Sequence, residues 1–210
     1  PALHRTKPNF SQDQKMKTLS FKAPQLAALA IALSCGFATS TMAMTSAEHK
    51  AQEKRIEADY KTNKDKCQSL SGNAKDICAS EAKGMEKIAK ADLASQYKPS
   101  PKADAKLRET RADAVYDTAK EKCDDLAGNA KDVCVKDAKA AHVAALGEAK
   151  VRQTSATTSG DKTSKVAEVR KDVTADTRKA EYDAAKERCD ALAGNAKDTC
   201  VADAKAKYGM

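Results

Sequence analysis

Cys123-Asp124-Asp125-Leu126-Ala127-Gly128-Asn129-Ala130-Lys131-Asp132-Val133-Cys134 is one of three copies of a single phrase. The others run from Cys67 to Cys78 and from Cys189 to Cys200. In each copy a Tyr stands seven residues before the first Cys (Tyr60, Tyr116, Tyr182), and an Ala-Lys pair follows the second (Ala82-Lys83, Ala138-Lys139, Ala204-Lys205). Self-similarity at this level is the signature of a repeat protein.

The phrase reads as helix, tight turn, helix. Tyr182, Ala185, Cys189 and Leu192 recur at spacings of three and four, which places them on one helical face. Gly194 then stands where a helix end accepts a left-handed residue, as do Gly72 and Gly128 in the other copies. Asn73, Asn129 and Asn195 follow as N-caps, and Asp76, Asp132 and Asp198 fall where a carboxylate completes a variant capping box at the positive end of the helix dipole. Adjacent stop and start signals predict an αα-hairpin.

The cysteines are symmetric about that turn, the first five residues before the Gly and the second five after the Asn. At about 1.5 Å per residue both lie roughly 7.5 Å from the turn, face to face in an antiparallel pair. On one unbroken helix they would stand about 16.5 Å apart, beyond the roughly 7 Å Cα limit for a disulfide. The spacing therefore predicts bridges Cys67–Cys78, Cys123–Cys134 and Cys189–Cys200, each stabilising its hairpin by roughly 2–3 kcal/mol.

The fold class expected is all-α: three tandem disulfide-locked αα-hairpins, extended rather than a single compact domain. Hairpin 1 is expected over 44–98, with Thr45 and Glu48 as a capping box and its first helix running to Leu70. Lys98-Pro99-Ser100-Pro101 breaks the chain, Ser100 capping and Pro101 opening the next helix. Hairpin 2 is expected over 99–151, residues 152–163 (including Gln153 to Gly160) as a flexible linker without an apolar stripe, and hairpin 3 over 164–210. Aromatic residues are 4% of the chain and Ala fills most inward positions, so each hairpin buries little area without its bridge. Slim hairpins joined like beads are the expected arrangement.

The N-terminal stretch has a different character. Residues 1–15 are polar and read as lying upstream of a start at Met16. Lys17 and Lys22, the apolar run Leu26 to Ala38, and Thr41-Met42-Ala43 then form a secretory signal peptide, 16–43. The apolar run is shorter than the roughly 20 residues of a membrane span, so no transmembrane span is expected after cleavage. A lipoprotein site at Cys35 is the minor alternative. Cys35 would otherwise leave with the signal, and of seven Cys six would remain, an even set that fits an oxidising compartment. Of the 38 basic and 30 acidic residues, five and one lie before Met44, so the remainder carries +4 rather than +8. Interspersed Lys, Asp and Glu read as ion-paired solvent faces and not as a nucleic-acid footprint.

Chemistry-bearing residues are few. Redox catalysis favours Cys-x-x-Cys at a helix start, and zinc needs four ligands at short spacings; neither pattern occurs. His49 and His142 stand unpaired in dissimilar places. Lys75, Lys131 and Lys197 sit in the first turn of a helix, as repeated anion contacts or as solvated lysines beside Asp76, Asp132 and Asp198. Tyr60, Tyr116 and Tyr182 are expected to cover the open side of each hairpin or to contact a partner. No catalytic, cofactor or metal residues are assigned, and no cofactor is expected.

The phrase Cys-Asp-x-Leu-x-Gly-Asn-Ala-Lys-Asp-x-Cys, nearly complete at Cys123–Cys134 and Cys189–Cys200 and departing at Gln68 in the first copy, resembles that of a group of Ala/Lys-rich Cys-repeat proteins exported by Gram-negative bacteria. These are often compared with the Tol-system envelope protein TolA. The resemblance covers about half the chain and implies a periplasmic setting but no activity. Likeness to TolA is compositional, so energy coupling across the envelope is not carried over. The expected function is that of a non-enzymatic periplasmic envelope interaction or stress-protective protein, whose partner is an envelope protein or polymer rather than nucleic acid or a small-molecule substrate. Two alternatives stand beside it: a thiol-disulfide or metal-responsive protein, and a binder of anionic polymers through the helix-start lysines.

Overall fold

In a computed structural model the residues described are 43–158 and 162–210. The upstream leader, the signal segment up to Met42 and Cys35 lie outside them. Six helices follow one another: α1 Ser46–Cys67, α2 Gly72–Tyr97, α3 Pro101–Cys123, α4 Gly128–Thr157, α5 Lys162–Cys189 and α6 Gly194–Tyr208. Local signals set several of their ends. Thr45 Oγ1 accepts from the Glu48 N–H at 3.2 Å while Glu48 Oε2 accepts from the Thr45 N–H at 2.8 Å, the reciprocal capping box. Ser100 Oγ accepts from the Ala103 N–H, and Pro101 opens α3.

Each repeated phrase closes a hairpin with its disulfide. The three Cα–Cα separations are 5.5, 5.6 and 5.7 Å. The turn differs from the one the spacing suggested. Helices α1, α3 and α5 end at the first Cys, not at the Leu, because the chain there tightens into i→i−3 hydrogen bonds: Leu70, Leu126 and Leu192 donate to the carbonyls of Cys67, Cys123 and Cys189 at 3.0–3.1 Å. An extended residue follows (Ser71, Ala127, Ala193), and then Gly72, Gly128 and Gly194 adopt φ of +55 to +56°. The left-handed residue is thus the first of the return helix rather than the cap of the outgoing one. An L side chain there is penalised by about 1–2 kcal/mol.

The stretch expected as a flexible linker is helical as far as Thr157. The hydroxyls of Thr154, Ser155 and Thr157 donate to the carbonyls four residues back at 2.9 Å, and packing of α4 on α5 outweighs the weak local preference of this polar stretch.

Each helix packs only on its chain neighbours: α1 on α2, α2 on α3, and so on to α5 on α6. The helices form one row with no central core among the described residues. The buried apolar residues are mostly Ala (Ala82, Ala105, Ala112, Ala114, Ala140, Ala149, Ala184, Ala204), together with Cys67, Cys123, Cys189 and Leu93. Small side chains let backbones approach: a Cβ on Gly84 would stand 3.0 Å from Ala114 Cβ, and one on Gly147 would overlap Val173. Both glycines lie between hairpins, so the hairpins stack on one another and are not separate beads.

Candidate interaction surface

The turn asparagines join one hairpin to the next. Asn73 Nδ2 donates to the Glu121 carbonyl of α3 at 2.7 Å, and Asn129 Nδ2 donates to the Glu187 carbonyl of α5 at 2.8 Å. The acceptor is in both cases the residue two before the next hairpin's first Cys, whose carbonyl accepts the N–H three residues on and has a second lone pair for the amide. The N-cap positions of the return helices fall instead on Ser71, Ala127 and Ala193, which make no side-chain cap bond. Asp76, Asp132 and Asp198 are the fifth residues of their helices, beyond the first turn; they stand exposed and complete no capping box. The cap expectation fails because the left-handed Gly starts the helix two residues early, leaving Asn inside it, with the amides of Asn73 and Asn129 aimed at the next hairpin.

A charge pair repeats at the same junctions. Lys122 meets Glu81 at 3.0 Å, and Arg188 pairs with Asp137. The base precedes the next hairpin's first Cys, and the acid stands three after the previous hairpin's second. Ser80 and Thr118 hydroxyls at 3.3 Å and Lys87–Asp117 at 3.3 Å also hold α2 to α3. The sequence reading missed these junctions, although acid and base recur at fixed offsets from every Cys pair.

The helix-start lysines turn back across their own hairpin. Lys131 pairs with Asp124 at 3.0 Å and Lys197 with Asp190 at 2.8 Å, not with the neighbouring Asp132 and Asp198. The hydrogen bond from Lys197 holds the Asp190 carboxyl below the usual range, and the same bond raises the Lys197 ammonium. In the first copy Gln68 replaces the Asp, and Lys75 has no ion pair among the described residues. The three lysines are therefore not equivalent.

The tyrosines are half-buried. Tyr116 stacks on His142 with centroids 4.6 Å apart and planes 9° from parallel, and His142 Nε2 lies 2.8 Å from Asp113 Oδ1. His49 lies against Tyr97 at 4.3 Å and near Glu53 at 3.6 Å. Both histidines, read as unpaired from the sequence, thus tie the two helices of a hairpin or sit against a ring and a carboxylate. Cys67, Cys123 and Cys189 are buried in their bridges. Among the described residues no group of three or more His, Cys, Asp or Glu is placed to hold a metal ion, and no helix is long and apolar enough to cross a membrane.

Two open grooves flank the exposed ridge of α3. One, of about 400 Å³, lies between α3 and α4, with Ala112, Val115, Ala119, Ala141 and Ala145 along it, the Tyr116–His142 pair in its wall and Arg108, Arg111 and Arg152 at its rim. The other, of about 440 Å³, lies between α2 and α3 and is lined by Gly84, Met85, Ile88, Ala114 and Val115. Val115 belongs to both and is 69% exposed; Met85 is 52% exposed. One face of the row thus carries an apolar strip with Arg108, Arg111, Arg152 and Glu148 at its edge, a surface suited to contact. No protein-family model, no curated protein and no solved structure matches the chain.

Proposed function

We propose that this chain is a non-enzymatic interaction protein of the bacterial cell envelope, exported by a cleaved signal peptide and working oxidised in the periplasm. The observation that carries the reading is the strip formed by exposed Met85 and Val115 with half-buried Ile88 between them, on a frame of three disulfide-closed hairpins. Exposed apolar patches rimmed by polar groups mark contact sites, and bridges that persist fit an oxidising compartment. Arg108 at the rim, which has no ion pair among the described residues, favours a partner with an acidic group beside an apolar patch, while Arg111 and Arg152 pair with Asp92 and Glu148. Pairing of Lys131 and Lys197 within their own hairpins weighs against a repeated anion site, and burial of the first sulfur of each bridge weighs against thiol exchange.

A photo-reactive residue at Val115, compared with one at Lys83 on the opposite side of the layer, tests this in cells. The expected result is one defined envelope product from position 115 that disappears when Met85 is changed to Asp, and none from position 83. Equal, diffuse labelling from both positions refutes it. N-terminal sequencing of the mature protein is expected to begin at Met44.

A further inference from the structure

The two internal junctions share three elements, written as offsets from the cysteines. The turn Asn donates to the carbonyl two residues before the next first Cys (Asn73 to Glu121, Asn129 to Glu187). The acid three after a second Cys pairs with the base just before the next first Cys (Glu81 with Lys122, Asp137 with Arg188). A small residue six after a second Cys is covered at the junction: Gly84 meets Ala114, nine before the next first Cys, and Ala140 is 9% exposed.

Among the described residues both outer edges of the row carry unmatched halves of this junction. On α6, Asn195, Asp203 and Ala206 hold the donor, acid and small-residue positions, and all three are exposed, whereas Asn73 and Asn129 are half-buried and Gly84 and Ala140 buried. On α1, Asp65 holds the carbonyl position, Lys66 the base and Ala58 the small residue; all are exposed, whereas Ala114, the equivalent of Ala58, is 6% exposed. The Asp65 carbonyl accepts the Gln68 N–H at 3.1 Å, as the Glu121 carbonyl accepts that of Asp124. Lys66 reaches Asn63, at 3.4 Å, and no acid among the described residues. The described residues hold no fourth hairpin for α6 to meet.

We infer that α6 of one copy docks on α1 of a second copy, repeating the α2–α3 and α4–α5 junctions and adding chains head to tail. The contact is heterologous, so each added copy presents the same free edge again, and terminal repeats that do not stack would be expected to present a non-matching polar face. Helix α6 has 15 residues against 26 in α2 and 30 in α4, so this joint is shorter than the internal ones and association is reversible. The inference rests on the repeat junction and uses the edges of the row, not the Val115 face, so it stands or falls apart from the functional reading above.

Sedimentation velocity of the purified, oxidised protein over a concentration series tests it. The weight-average mass is expected to rise past that of two chains. Asp203→Lys and Lys66→Asp, each at an exposed position, are expected to weaken association roughly tenfold or more through like-charge contact, with unchanged far-UV circular dichroism. A mixture of the two variants restores it: where they alternate, the introduced lysine faces the introduced aspartate at one joint, and the parental Asp203 and Lys66 meet at the next. Asn195→Ala is expected to weaken association several-fold. A single-chain mass at all concentrations, a mass that stops at two chains, or association indifferent to both reversals overturns the inference.

Discussion

Replacing Asn129 by Ala removes the 2.8 Å bond from its amide to the Glu187 carbonyl across the α4–α5 junction. A half-buried neutral hydrogen bond contributes about 1 kcal/mol net. The carbonyl left behind still accepts the Asp190 N–H at 3.1 Å, so no penalty for an orphaned acceptor is added. Ala is also the better helix former, by up to about 0.7 kcal/mol, and this gain partly hides the loss. Asn195→Ala supplies the reference, since the same residue in the same phrase is exposed and its amide meets no neighbouring hairpin among the described residues. The propensity gain is common to both, so the difference between the variants isolates the junction bond: Asn129→Ala is expected to be less stable than Asn195→Ala by about 1 kcal/mol, or roughly 2–4 °C in Tm for a chain of this size. Urea unfolding followed by far-UV circular dichroism, at a concentration where the protein sediments as one chain, reads it. If the Asn were acting as an N-cap, all three positions would lose a similar amount, roughly 0.5–2 kcal/mol. Equal losses at 129 and 195 therefore refute the junction role.

Gly147→Ala is expected to destabilise the α4–α5 packing by about 1–3 kcal/mol despite the better helix former, because its Cβ overlaps the stiff Val173 side chain; Gly147→Ala with Val173→Ala is expected to recover most of that in the same urea assay. Replacing Cys123 and Cys134 together by Ser opens the middle bridge, of sequence separation 11, and is expected to lower stability by roughly 2–3 kcal/mol in the chain-entropy picture, with the loss greatest in amide protection around the α3–α4 turn. The Asp190 carboxyl is lowered and the Lys197 ammonium raised by their mutual bond, so the pair stabilises the hairpin at neutral pH. That stability falls away as pH drops through the lowered carboxyl value, and again as pH rises past the ordinary lysine range. Asp190→Asn is expected to flatten both limbs of the urea-midpoint profile, while a profile identical to that of the parent would contradict it.

What the sequence disclosed was the short-range part of this fold. The Thr45–Glu48 box and the Ser100–Pro101 start involve groups within three residues of each other, and the cysteine pairs are symmetric about a Gly whose positive φ was legible from its type. What stayed hidden involves partners far along the chain. The amide of Asn73 meets a carbonyl 48 residues on, and nothing in the spacing of the phrase said that an Asn in a helix's first turn would face outward to a neighbour. The lysine pairing went astray for a related reason: Asp132 is adjacent in sequence, but Asp124 is across the turn, and only the turn's geometry brings it to 3.0 Å of Lys131. On the candidate surface, Tyr116 was picked out by its repetition, whereas Val115 and Met85 occur in no fixed relation to the phrase and gave no signal. Helical continuation through Thr157 was lost because local composition does not record the packing of α4 on α5, which overrides weak propensity.

Packing each helix only on its chain neighbours makes the hairpin an interchangeable vertebra. No contact between the described helices spans more than one joint, so excising residues 101–161 would leave Asn73 and Glu81 opposite the Glu187 carbonyl and Arg188, a matched pairing under the same offsets. Length in such a spine is changed by gain or loss of whole segments with the polar pairings kept, and the adjustment falls on close packing: Ala91 would take the place of Gly147 against Val173. Unfolding should likewise run inward from whichever end lets go first.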